Sequence, residues 1–169
     1  MQKEDSISLK KSDLEEFFIH HLDKIYAAKT LLIAELPELY DNVYFSDLRE
    51  GILETVEDVK KQISRMNKIY DLLETSYSDS DPNGLKGLIE DSFQDIHRHS
   101  ENPELRDMSI LFYLTNIECV EMASFQILEM LAVKIKIKEI KQLIKENYED
   151  AKASRTLFLL INAKYISTV

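Results

Sequence analysis

Glu118 and Glu121 stand three residues apart inside the apolar series Leu111, Leu114, Phe125 and Leu128. At helical spacing both carboxylates fall on the face that packs inward. Lys29 fills the slot between Ile25 and Leu32, and Arg155 lies on one line with Asn147, Ala151 and Phe158. Glu57 and Lys60, again three apart, sit at the edge of the stripe Ile52, Val56, Val59, Ile63, Met66. An unpaired charge is costly to bury, so inward carboxylates need either a metal or cationic side chains. Here the count balances: Glu57, Glu118 and Glu121 contribute −3, and Lys29, Lys60 and Arg155 contribute +3. A protonated Lys or Arg has no lone pair to give a metal and repels a dication. The expectation is a buried charge network of Lys29, Glu57, Lys60, Glu118, Glu121 and Arg155, with no metal and no cofactor.

Other chemistry has less to stand on. His20 and His21 lie near the start of a helix, and His97 and His99 lie beside a loop, far in sequence from the Glu118 level. The second pair reads as solvated histidines rather than a surface metal site. Gly51, Gly84 and Gly87 match no phosphate-cradling loop, and no nucleophile sits in a strained turn motif. No catalytic residue is assigned. Cys119, the sole cysteine, reads as a small buried thiol, because its neighbours form a packed helix. Phe17 and Phe18 cannot share one core, which leaves one of them for a partner helix.

These side chains must be carried by helices. Ser12-Asp13-Leu14-Glu15 has the pattern of a capped helix start, and Phe18, Leu22, Ile25, Leu32 and Leu36 continue it to about Tyr40, with a kink expected at Pro37. A second stripe runs from Ile52 to Leu73 and ends in the polar stretch from Ser76 to Gly84. A short amphipathic segment covers Leu85 to His97, and Ser100-Glu101-Asn102-Pro103 closes it. A long helix is predicted from Glu104 to about Val133 and a last one from about Lys138 to Ala163. The alternating residues from Val133 to Lys138 have no partner strand and read as the turn between them. Four long helices with one longer middle connection fit a bundle.

Composition agrees. The chain has 169 residues, a formal net charge of −10, three Gly and 44% hydrophobic residues. Length suits one core, scarce glycine argues against an all-β fold, and the hydrophobic content argues against disorder. The division expected is a flexible segment over 1–12 and one bundle domain over 13–166. Residues Met1 to Ser12 lack an apolar signal-peptide core, Leu157 to Ile161 is too short a run to span a bilayer, and a lone cysteine forms no intrachain disulfide. Cytoplasm is the expected compartment. The acidic balance disfavours nucleic acid, and neither nucleic acid nor a membrane is expected as a partner. Lys134 to Lys145, with five Lys and one Glu, is locally +4 and reads as a solvated helix start.

Several segments carry a family resemblance: Phe18-Ile19-His20 with Tyr26-Ala27-Ala28, Gln62-Ile63-Ser64-Arg65, Gly87-Leu88-Ile89-Glu90-Asp91, Leu105-Arg106-Asp107, and the run from Ile117 to Ser124. In this order and spacing, over about 140 residues, the chain resembles the YciF/YciE-like bacterial family of ferritin-like proteins of unknown function. The resemblance implies a ferritin-like four-helix bundle with a short additional helix in the central crossover, an association with stress and a homodimer. Typical members carry a carboxylate/His set suited to two metal ions. Glu57, Glu118 and Glu121 match that set, and Glu149 and Asp150 remain acidic. Lys29 stands in place of a Glu, Lys60 in place of a His, Cys119 in place of a His, and Ala151 and Arg155 at acidic positions; Lys86 also replaces a Glu. The reading favoured is a metal-free, non-enzymatic scaffold or interaction protein whose partner is unknown. The alternative is a di-iron or di-manganese oxidoreductase with metal on Glu57, Glu118, Glu121 and Glu149.

Overall fold

The computed structural model describes residues 9–79 and 84–168. Among these are five helices and no strand: α1 (Lys11–Asn42), α2 (Ser46–Leu72), α3 (Leu85–Arg98), α4 (Pro103–Ile135) and α5 (Lys138–Ile166). Four are long and α3, in the crossover, is short, as the apolar periodicities require. The first eight residues of the segment expected to be flexible lie outside the described part. The rest of that segment is partly helical, because α1 begins at Lys11. Ser12 is therefore inside the helix, not its cap. The Asp13 carboxylate accepts a hydrogen bond from the Lys10 backbone N–H at 3.0 Å, which satisfies one orphan donor of the first turn. The helix continues through Pro37, whose missing N–H costs one backbone bond near its end, and stops at Asn42.

The four long helices form a ring in the order α1, α2, α5, α4, with α4 packed most extensively against α5, and α3 covers the groove between α1 and α4. Two apolar clusters fill the interior. One contains Leu32, Leu36, Leu48, Ile52, Val59, Leu111, Leu114 and Phe158. The other contains Phe18, Leu22, Ile25, Met66, Phe125, Leu128, Ile140 and Ala151. Phe18 is fully buried and Phe17 half-exposed, so the adjacent pair divides between core and surface.

Two turns set the register. The α1–α2 turn, Val43 to Phe45, is held from α4: Asp107 accepts from the backbone N–H groups of Tyr44 (2.8 Å) and Phe45 (2.6 Å), and Arg106 donates to the Asn42 carbonyl. Asp107 thus ties down the N–H groups of the turn up to the N-cap residue of α2, Phe45, which has no side-chain cap of its own. Replacing it with Ala strands two backbone donors at a buried turn. The expected cost is about 2–4 kcal/mol in urea unfolding, with Asp107→Asn, which keeps an acceptor, losing less. The α4–α5 turn is tighter than the alternating stretch suggested: α4 runs to Ile135, and Lys136 and Ile137 make the whole connection. Lys136 adopts the left-handed conformation (φ 67°, ψ 18°). At the other end of α4, Asn102 accepts from the Leu105 N–H at 3.1 Å, with Pro103 as the first helical residue.

Candidate functional site

Between the two apolar clusters lies a layer of buried polar side chains. Lys29 enters it from α1, Thr55 and Gln62 from α2, Glu118 and Glu121 from α4, and Asn147 and Ser154 from α5. Each follows from helical spacing: Lys29 interrupts the Ile25–Leu32 line, Gln62 the Val59–Met66 line, and Glu118 and Glu121 the Leu114–Phe125 line. Lys29, Glu118 and Glu121 are at most 1% exposed.

The Lys29 ammonium makes a fully buried hydrogen-bonded ion pair with Glu121 Oε2. The second Glu121 oxygen, Oε1, and Glu118 Oε2 are buried without a hydrogen-bond partner. Burial pulls Lys29 down; the carboxylates of Glu121 and Glu118 outweigh it and hold the ammonium above its usual range. Glu118 is pushed up to about 8, first by burial and then by the neighbouring Glu121 charge, against the pull of Lys29. Pushed up in this way, Glu118 keeps its proton more firmly than an ordinary carboxyl beside the buried Lys29–Glu121 pair.

Around this triad α2 and α5 are stitched together. Gln62 Nε2 donates to the Asn147 carbonyl at 3.3 Å, and Arg65 donates to Asn147 Oδ1 at 3.2 Å and to Asp150 at 2.5 Å. Arg65 also pairs with Glu146 at 3.0 Å. These connections bring the second half of the layer into register without adding a charge at its centre.

Half of the expected six-residue network lies elsewhere. Glu57 and Lys60 are exposed and pair with each other at 2.6 Å along the α2 surface. The inward line of α2 runs Ile52, Thr55, Val59, Gln62 and Met66, so residues two and one positions away from it turn outward. Arg155 is only half-buried and donates from Nε to Cys119 Sγ at 3.1 Å, because Ser154 takes the inward slot on α5. Cys119 is exposed rather than buried, one position past the inward Glu118. Glu149 is exposed beside Lys152. The alternative metal set of Glu57, Glu118, Glu121 and Glu149 is thus not gathered in one place, and no group of three His, Cys, Asp or Glu suited to a metal exists among the described residues. His20 and His21 stack edge-on, 5.0 Å between ring centroids, beside Phe17 on the surface of α1.

The residues do not fit a di-metal centre. Two inward carboxylates remain, and a cation already occupies their shared side. The Lys29 ammonium, paired with Glu121 beside Glu118, opposes any dication in the same layer. Thr55, Gln62 and Ser154 are the members that a search for apolar periodicity passes over, whereas Asn147 falls on the line drawn through Ala151 and Phe158. The spacing 52, 55, 59, 62, 66 was the available signal.

A family model described as "Domain of unknown function (DUF892)" matches residues 13–164. Protein YciF of Escherichia coli (strain K12) is 26% identical over 148 residues, covering 83% of this chain and 85% of the relative. The crystal structure of the E. coli stress protein YciF superposes with a TM-score of 0.84 at 23% identity, covering 92% of this chain and 98% of that one. YcfI from Rhodopseudomonas palustris superposes with a TM-score of 0.79 at 22% identity, covering 94% and 97%. No described helix is long and apolar enough to cross a membrane. With the model match spanning nearly all of the helical bundle, the chain belongs to the DUF892 family, whose function is unknown.

Proposed function

We propose that this protein is a metal-free, ferritin-like bundle that serves as a non-enzymatic scaffold or interaction protein. In this reading a Lys29–Glu118–Glu121 triad stands in place of a di-metal centre. The observation that carries the reading is the buried contact of the Lys29 ammonium with Glu121, beside Glu118. A resident side-chain cation neutralises the carboxylates that a metal would otherwise bind, and it cannot be displaced without burying an unpaired charge. The solved relative described as a stress protein supports a role in stress, and the single cysteine fits a cytoplasmic setting.

The scaffold reading includes self-association. Leu105, Phe112, Val120 and Ile127 leave a line of exposed apolar side chains along α4, which suits pairing with a second copy across a two-fold axis. Sedimentation equilibrium is expected to give a dimer, and Phe112→Asp with Ile127→Asp a monomer; a monomeric wild type contradicts this part. Calorimetric titration with Mn(II), and with Fe(II) under anaerobic conditions, tests the centre. No stoichiometric binding is expected. Binding of one or two ions per chain that disappears in Glu118→Gln/Glu121→Gln would establish the di-metal alternative instead.

A further inference from the structure

We propose that the exposed face of α4 is a seam for a second copy of this chain, packed antiparallel, with the two-fold axis crossing α4 at the level of residue 121. This rests on the self-association read above and gives it an orientation and a register. Between Leu105 and Val133, a length of about 42 Å, every exposed residue of α4 is uncharged. The outer face of α2, by contrast, carries Glu50, Glu54, Glu57, Lys60, Lys61 and Lys68. A helix without a charged face is normally covered all round, and α1, α3 and α5 cover only the inner side of α4.

Two rows with a seven-residue repeat run along this face: Phe112, Cys119, Gln126 and Val133 in one, Asn116, Ala123 and Met130 in the other. Such a repeat keeps a seam facing its partner helix. In an antiparallel pair each row meets the other row of the second copy, and residue i meets j while j meets i. About position 121 the chemistry then matches at every level. Phe112 and Met130, at 58% and 64% the most exposed large apolar side chains of α4, stand nine residues either side, so that Phe112 packs on the partner's Met130. Cys119 and Ala123, two residues either side, are small and let the helix axes approach where they cross. Asn116 and Gln126, five either side, bring amide against amide. Polar groups in a seam fix its register, because a slipped pairing leaves them unmatched.

Charge selects the direction. Glu104 and Lys134, both exposed, bound the uncharged stretch at its two ends. The antiparallel pair sets each Lys134 within about one turn of the partner's Glu104, an attraction made twice. A parallel pair would set lysine against lysine and glutamate against glutamate. A seam without carboxylates also lets two chains of net −10 approach each other.

Disulfide trapping of the full chain in a Cys119→Ser background, beside sedimentation equilibrium of the wild type, tests orientation and register. Phe112→Cys and Met130→Cys proteins, mixed, allowed to exchange subunits and mildly oxidised, should give a linked dimer. Either protein alone should give at least about tenfold less, since its two sulfurs then lie far beyond bridging reach. Asn116→Cys mixed with Gln126→Cys should behave alike. Lys134→Glu should raise the dimer dissociation constant about three- to tenfold, and Lys134→Glu/Glu104→Lys should restore it. The proposal is overturned by cross-linking of the Phe112→Cys protein with itself, which a parallel pair gives. It is also overturned by a dimer that links in no combination, which moves the interface to another face and leaves self-association standing. A monomeric wild type removes the self-association reading and this one with it.

Discussion

Lys29→Met is expected to destabilise the protein by about 3–5 kcal/mol, the usual cost of leaving a buried charge without its partner. The substitution preserves volume and removes only the ammonium, so Glu121 and Glu118 face each other across an apolar gap with no counter-charge. Both are at most 1% exposed, and water cannot take over the role of the ammonium without opening the bundle. The sharper expectation is the rescue. Lys29→Met/Glu121→Met removes both ends of the pair, and its stability should return to within about 1–2 kcal/mol of the wild type, or exceed it, because a well-packed apolar pair often replaces a buried ion pair without loss. A double-mutant cycle measured by urea unfolding gives the coupling directly. A cycle with no coupling would mean that the two side chains do not depend on each other.

The second large effect is on pH dependence. Glu118 is pushed up to about 8 in the folded chain by burial and by Glu121, against an ordinary value of 4.5. The native state therefore holds this proton more tightly than the unfolded state does. Its contribution to stability is fully present below pH 4.5 and is lost as the pH rises through about 8. The loss attributable to this group is on the order of 3–5 kcal/mol between those limits. Glu118→Gln keeps the shape and neutrality of the protonated acid, so its stability should be nearly flat over the same window. At pH 9 the variant should be the more stable protein, and at pH 5 the two should lie within about 1 kcal/mol of each other. Parallel curves for the two proteins would place the Glu118 proton elsewhere.

The helical frame was legible because period-3.6 apolar spacing is strong over elements as long as α1 and α4. The same periodicity placed Lys29, Glu118 and Glu121 inward, since each is flanked on its own line by aliphatic residues three or four positions away. It misplaced Glu57 and Lys60 for a physical reason. On α2 the inward line is polar at Thr55 and Gln62, so the apolar residues at its edge, Val56 and Ile63, pulled the apparent stripe to one side. Arg155 was misread for the mirror reason: Ser154, small and polar, is the inward residue, and the guanidinium reaches instead to an exposed thiol. Tertiary stitching such as Asp107 reaching back to the α1–α2 turn leaves no periodic trace, because its partners are backbone groups 62 and 63 residues away.

These corrections narrow the charge account rather than dissolve it. Balance does not come from three acids against three bases; the buried set is Lys29, Glu118 and Glu121, with Glu118 pushed toward its protonated form. That makes the protonation state of the interior the central claim. The side-chain carboxyl carbons of Glu118 and Glu121, followed by NMR from pH 4 to 10 with and without one equivalent of Zn(II), test it most directly. The expected result is a single proton on the pair, released with a midpoint near 8, and a titration that Zn(II) leaves unchanged. Two carboxyls already ionised by about pH 5, or resonances that shift on adding Zn(II), would contradict a centre closed by Lys29.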